Sequence, residues 1–572
     1  MKFLWSYFKK YRLESILAPL FKCLEACFDL AVPVIVAKII DTGIATANKP
    51  YIISRFLLLL AMAVLGLVSS CVAQYFAAKA AIGTAAGLRQ DLLCKIQTLS
   101  CREVDAVGTS TLITRMTSDV NQVQNGLNMF LRLFMRSPFI VFGAMIMAFT
   151  INARLALIFV IAIAVLFFIV FGVMWLSNPL YKKVQQQLDG VTEATREDLN
   201  GVRVIRAFSR EGEQKKRFAA QNERLLHAQL FVGRVAAIMN PLTYLIVNAV
   251  IIAVLWLGAG KIQNGVLLSG SIIALINYIL QILVELVKLA NLITQLGRSV
   301  ASMNRVGQVL SLQSGMQFGG GSQPQAGAPA VQFNNVSFCY NGSAEPALQN
   351  ISFTAQKGQT IGVIGGTGSG KTTLVNLILR FYDATSGTVL VNGVPVQSLS
   401  KQQLEQAVSA VLQRPRLFSG TVKSNLQLAA PQATEQQMLW ALRLARAEDF
   451  VLEKGGLDAA VEQDGANFSG GQRQRLTIAR TLLSGAKIII LDDSLSALDF
   501  ATDAAVRRAL KTLPKDVTVF FISQRVGSIA GSDRILVLDD GALVGSGTHS
   551  ALLQSCGVYR EIFESQTKGA EA

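Results

Sequence analysis

The sequence predicts two folds in series: a membrane all-α domain of six long transmembrane helices, followed by an α/β domain. Three observations carry this reading. Of 572 residues, 51% are apolar and only 16% charged, with a mean hydropathy of +0.42. That is too apolar for an ordinary soluble protein and too long for one domain. The run Leu155–Leu176 carries no charge; as a helix it is roughly 33 Å long, enough for a hydrocarbon core of about 30 Å. Beyond residue 330, short β-branched runs alternate with helical patterns, as in an α/β domain.

Similar apolar stretches recur near Ile16–Ile40, Phe56–Ala80, Phe130–Thr150, Pro241–Leu257 and Ser271–Ile293, which makes six expected spans before residue 300. Orientation follows from Lys and Arg. With the N-terminus inside, segments 1–12, 81–129 and 178–240 hold 19 basic residues, against 4 in the outside loops 41–55, 151–154 and 258–270. The N-terminus is therefore expected to be cytoplasmic. The net charge of +16 is mostly this bias, so nucleic-acid binding is not implied. "MKFLWSYFKKYR" suits an interfacial helix on the cytoplasmic leaflet, and no cleavable signal is expected. The transmembrane domain is expected over 1–310. Residues 311–330, rich in Gly, Pro, Gln and Ser, read as a flexible linker to the domain at 331–572. The seven cysteines form no CxxC or zinc spacing, and two histidines make no metal cluster.

"GGTGSGKT", residues Gly365, Gly366, Thr367, Gly368, Ser369, Gly370, Lys371 and Thr372, lies between the strand-like "TIGVI" and a helical run opening at Thr373. Glycines in that pattern let backbone N–H groups close around phosphates at a helix N-terminus. Lys371 can reach β- and γ-phosphates, and Thr372 can ligate Mg²⁺. Asp492, ending "KIIILD", is a natural partner for the same ion. "NFSGGQRQRLTIAR" (Asn467–Arg480) adds a Ser-Gly-Gly turn opening a basic helix, a second phosphate-binding device.

With these elements in this order, residues 331–572 resemble the nucleotide-binding domain of an ABC transporter. The whole chain resembles a bacterial ABC exporter half-transporter, six spans fused ahead of one P-loop ABC ATPase domain. The resemblance implies ATP and Mg²⁺ as ligands. It implies that Tyr340 stacks on adenine and that Gln413 is the Q-loop glutamine, touching Mg²⁺ and the coupling helices. Phe468, Ser469, Gly470, Gly471 and Gln472 correspond to the signature, which contacts the γ-phosphate bound by the other subunit. Ser496–Asp499 corresponds to the D-loop, and Arg102–Val120 and Asn200–Phe218 to the two intracellular loops. The implied setting is the bacterial inner membrane, with the ATPase domain cytoplasmic. The implied partners are a second half-transporter, membrane lipid and a small-molecule substrate.

Two positions depart from the family pattern. Asp493 stands for the glutamate that orients the attacking water, and Gln524 for the switch-loop histidine. Asp retracts the charge by one C–C bond, ~1.5 Å, and misplacement on that scale costs on the order of 10²-fold in rate. Gln524 can donate a hydrogen bond but cannot carry a proton. The binding residues survive and the hydrolysis residues do not. ABC domains pair head to tail, so the chain resembles the degenerate-site subunit of a heterodimeric multidrug-type exporter. Its complete FSGGQ then serves a partner carrying Glu and His. A slow homodimer and a regulatory, non-transporting ATP-gated subunit are the alternatives; an importer is disfavoured by the fused layout.

In the sixth span, Asn277, Gln281, Glu285, Lys288, Asn291 and Gln295 fall on one polar stripe of an apolar helix. Lys22, Glu25 and Asp29 make a shorter stripe in the first. Intramembrane charges are functional-site candidates, here as lining of a substrate pathway. Local i,i+3 pairing of Glu285 with Lys288 is the alternative.

Overall fold

The structure is a computed structural model that describes residues 7, 9–325, 327–341, 343 and 345–568. The interfacial helix expected over residues 1–12 lies largely outside them. Two compact units form: Met1–Gln97 with Ser110–Ser311, and Thr98–Thr109 with Leu312–Ala572.

In the first unit the helices are α1 (Arg12–Lys38) and α2 (Lys49–Thr98), then α4 (Thr109–Ile151) and α5 (Ala153–Asn200), then α6 (Glu211–Gln263) and α7 (Ser269–Ser311); α3 (Cys101–Val107) belongs to the second unit. Five of them, all but α1 and α3, are long and apolar enough to cross a membrane. The expected six spans are thus matched by five on composition. At 27 residues α1 is long enough, but Lys22, Glu25 and Asp29 interrupt its apolar surface. α1 also contains Pro19 and Pro33 and passes into a π-helical turn at Ile39–Ile44. The core of the unit is built largely from small and branched residues such as Ala26, Ala144, Ile140, Val247 and Leu275. Small side chains let helix backbones approach closely where hydrophobic exclusion supplies little force.

The second unit is built on two main sheets, with a third, two-stranded one pairing Gly420–Thr421 and Ala460–Val461. The larger is six-stranded, from β3 (Thr360–Gly365), β6 (Val408–Val411), β7 (Ile488–Asp492), β8 (Thr518–Ile522), β9 (Arg534–Asp539) and β10 (Ala542–Gly547), in the order β10-β9-β3-β8-β7-β6. All pairings are parallel except β9 with β10. Its central strands β3, β7 and β8 are buried on both faces, which explains their apolar runs. Ile489, Leu491, Val519 and Phe521 enter one core, and Ile488, Ile490, Phe520 and Ile522 the other. The smaller sheet is antiparallel, in the order β2-β1-β4-β5, from β1 (Val331–Phe338), β2 (Leu348–Ala355), β4 (Ser386–Val391) and β5 (Val394–Pro395).

α3 is set off from α2 by a capping box in which Ser100 and Glu103 serve each other's orphan groups. Glu103 also accepts from Gly315 N at 3.1 Å, and Arg102 binds Asn341 Oδ1 at 2.6 and 3.0 Å. These bonds hold residues 98–109 to the second unit, although the sequence reading put them in the membrane domain. The described residues of the stretch 312–330 form no helix or strand. They are nonetheless laid along the domain through Gly319 N to Leu399 O, Gln325 N to Asn392 O, and Arg380 over the Phe318 ring.

Candidate functional site

β3, β7 and β8 are adjacent and parallel, so the loops at their carboxyl ends converge, as ligand-binding loops do in open α/β sheets. β3 delivers residues 365–372 into helix α8 (Lys371–Ile378), β7 delivers Asp492 and Asp493, and β8 delivers Gln524. Together they line a cavity of about 340 Å³ with Tyr340, Thr367, Gly368, Gly370, Thr372, Thr373 and Gln413. Two glycines are required by shape. A Cβ at Gly365 would stand 2.1 Å from Leu538 O. Gly370 adopts φ +94°, and a Cβ there would stand 2.7 Å from Ala347 O.

Lys371 is buried and donates to Gly365 O at 3.0 Å, Gly366 O at 2.5 Å and Ser369 Oγ at 3.3 Å. Burial lowers its pKa against the pull of Asp492 and Asp493. Asp492 is 2% exposed and one of its oxygens, Oδ2, has no hydrogen-bond partner among the described residues. Burial pushes this carboxyl up to about 6; the Thr372 hydrogen bond and Lys371 oppose the rise, and the charge of Asp493 adds to it. An orphaned carboxylate oxygen beside the Thr372 hydroxyl and the Gln413 amide is a hard-oxygen set suited to Mg²⁺.

Asp493 sits in the left-handed region at φ +46°, its N–H donating to Ile522 O and its carbonyl accepting from Ser496 Oγ at 2.7 Å. Burial raises the pKa of its side chain as well. Tyr340 meets Phe338 and Tyr382 edge-on at 4.8 and 5.3 Å, and its hydroxyl lies 3.2 Å from Thr373 Oγ1.

The FSGGQ residues are not brought into this cavity. Ser469 caps helix α9 (Gly470–Leu483) and forms a capping box with Gln472. Phe468 is buried against Phe450, while the position of a Cβ at Gly470 is open, with nothing within 4 Å.

In the first unit, Glu285 is 4% exposed and Gln281 half-buried, whereas Asn277, Lys288, Asn291 and Gln295 are exposed. Glu285 accepts from Lys288 at 3.0 Å, the expected i,i+3 pair. It also accepts from Arg136 at 2.8 Å and Ser137 at 2.7 Å. Arg136 reaches Asp29 at 2.8 Å, and Lys22 pairs with Glu25 at 2.5 Å and Ser70 at 3.0 Å. Three cations thus meet three carboxylates. The sequence reading missed Arg136, although an arginine inside the apolar stretch Phe130–Thr150 was a signal that could have found it.

A phosphate loop facing a buried carboxylate strand, on a chain whose first half is membrane-spanning helix, defines the class: an ATP-binding, ATP-hydrolysing membrane protein. Comparison narrows this. Residues 15–286 match the ABC transporter transmembrane region and residues 348–496 the ABC transporter family. An uncharacterized ABC transporter ATP-binding protein of Mycobacterium tuberculosis is 35% identical over 571 residues, covering 99% of this chain and 98% of its own. The ATP-dependent lipid A-core flippase of Haemophilus influenzae is 28% identical, covering 99% and 97%. In fold, the chain is similar to a bacterial Atm1-family ABC exporter with ATP bound, with TM-score 0.80, 22% identity and 98% coverage of each chain. The chain belongs to the ABC transporter family. It is a multi-pass inner-membrane exporter subunit with its ATPase domain at the C-terminal end.

Proposed function

We propose that this chain is the degenerate-site half of a heterodimeric exporter. One observation carries the reading: a complete set of phosphate- and metal-binding groups lines a cavity in which Asp493 and Gln524 replace the residues that perform hydrolysis. Backbone N–H groups of residues 366–372 cradle the phosphates, and Lys371 exchanges its loop carbonyls for phosphate oxygens. Thr372, Gln413 and Asp492 hold Mg²⁺, which neutralises phosphate charge when bound. Asp493 is too short to orient water well, and Gln524 holds the terminal phosphate without shuttling a proton. Ser469, Gly470 and Gly471 complete the partner's site, where the partner carries Glu and His. The stripe of Asn277, Gln281, Glu285, Lys288 and Asn291 lines the pathway of a small-molecule substrate.

Two variants test the asymmetry in the complex purified with its natural partner. A Cβ at Gly470 meets nothing within 4 Å, so the effect of Gly470→Glu is expected to fall on a γ-phosphate approached by the α9 N-terminus. This variant is expected to remove most steady-state ATPase activity, on the order of the 10²-fold lost when one catalytic contact is removed. Asp493→Asn is expected to lower activity only modestly. Equal, near-complete losses in both variants identify a homodimer and overturn the proposal.

A further inference from the structure

The C-terminal helix α13 (Gly557–Lys568) does something the catalytic motifs do not account for. Tyr559 on this helix is 0% exposed and its hydroxyl lies 2.7 Å from His549 Nδ1; Phe563 packs edge-on against the same imidazole at 5.6 Å. Residues three, four and seven apart share a helix face, so the burial of Tyr559 and the packing of Ile562 and Phe563 fix the direction of Gln566 two turns on. Its carboxamide there spans the loop between β8 and the short helix α11 (Val526–Ile529). Nε2 donates to Gln524 O at 2.7 Å, and Oε1 accepts from Val526 N at 2.9 Å.

Both bonds meet a real need. Val526 is the first residue of α11, and its cap position, Arg525, offers no side-chain cap, so its N–H is a helix orphan. Gln566 supplies that cap from another element. The flanks of the loop are already fixed. Ser523 N donates to Val363 O at 3.0 Å, Gly527 O accepts from Arg507 at 3.0 Å, and Val526 is 3% exposed. The peptide joining Gln524 to Arg525 is held on its N–H side by Ser523 Oγ at 2.9 Å, and on its carbonyl side by Gln566; the Gln524 residue lines the nucleotide cavity with Lys371 and Asp492.

We propose that Gln566 is a positioning residue. By clamping the loop at Gln524 O and Val526 N, it sets the reach of Gln524 toward the terminal phosphate, so the preference of this site for ATP over ADP depends on α13. The proposal rests on the nucleotide-site reading above and extends it to a residue outside every nucleotide motif. Only ATP presents a γ-phosphate, so loosening the loop weakens ATP and leaves ADP as it was. Loss of structure weakens both.

The test uses the full-length chain in detergent with Mg²⁺ on ice, photolabelled with 8-azido-[α-³²P]ATP and resolved by gel, so that its own band is read. Unlabelled ATP and ADP compete. Gln566→Met keeps the length and removes both bonds. It is expected to raise the ATP needed for half-displacement about tenfold, the equivalent of one charge-assisted hydrogen bond, with ADP unchanged within about twofold. Gln566→Glu keeps the acceptor for Val526 and loses the donor, and an intermediate effect is expected. In a Gln524→Ala background, Gln566→Met is expected to add nothing, because the two act as one unit. Equal weakening of ATP and ADP, no change in either, or full additivity with Gln524→Ala overturns the clamp. A wild-type band that ATP does not displace overturns the nucleotide-site reading itself, and the proposal with it.

Discussion

Asp492, the proposed Mg²⁺ ligand, is held against the stability of its own domain. Its carboxyl is 2% exposed, and burial raises its pKa from 3.8 to about 6. Between those values the folded chain binds a proton that the unfolded chain releases. This contribution to stability is therefore full below about 4 and is lost as pH rises through about 6. The ionised form then costs about 3 kcal/mol at most. Asp492→Asn is expected to raise Tm of the nucleotide-free protein at pH 7.5 by about 5 °C, with a smaller gain at pH 5. The same variant is expected to lose the Tm increase that Mg-ATP gives the wild type. Scanning fluorimetry at the two pH values checks this, and an unchanged or lowered Tm at pH 7.5 rejects it. Asp492 was legible in the sequence because a strand of "KIIIL" can end only at the sheet's carboxyl edge. The left-handed turn at Asp493 was not, because φ +46° is imposed by the β8 carbonyl of Ile522 that its N–H must reach.

At the scale of helices, α1, α4 and α7 are joined by charges rather than by apolar packing alone. The contacts of Arg136 with Glu285 and Asp29 join residues 149 and 107 positions apart. Periodicity within one helix exposed the carboxylates but could not supply a partner on another helix. The phosphate loop, by contrast, is contiguous and was readable in full. The Glu285 side chain is 5% exposed, whereas that of Asp29 is 43% exposed and can be hydrated. Removing Arg136 therefore weakens mainly Glu285, which keeps Lys288 and Ser137. Arg136→Leu is expected to destabilise the membrane unit by about 1.5–3 kcal/mol, and Arg136→Leu with Glu285→Leu to recover most of it, since replacing both partners of a buried pair is often neutral. Melting of the detergent-solubilised protein checks the first part. If the stripe lines a substrate pathway, the stable double variant still loses transport; normal transport removes that assignment.

At the scale of the whole molecule, the degenerate site proposed above predicts asymmetry in time as well as in rate. On the proposed reading, Lys371, Thr372 and Asp492, which line one cavity with Asp493 and Gln524, hold Mg-ATP that Asp493 and Gln524 do not consume. In the assembled exporter this site is expected to keep its ATP through many turnovers while the partner's site cycles. Misplacement of one catalytic group costs on the order of 10²-fold, so retention through about a hundred partner turnovers is the expected scale. The complex is loaded with [γ-³²P]ATP, chased with excess unlabelled ATP, and sampled by rapid filtration for nucleotide still bound and still unhydrolysed. One slowly released equivalent of ATP per complex is the expected result. Asp493→Glu with Gln524→His restores the reach of the carboxylate and a proton carrier, and is expected to convert that equivalent to ADP at a rate approaching the partner's. Release of ADP from the unmodified Lys371 site at the overall turnover rate would show two working sites and end the degenerate assignment.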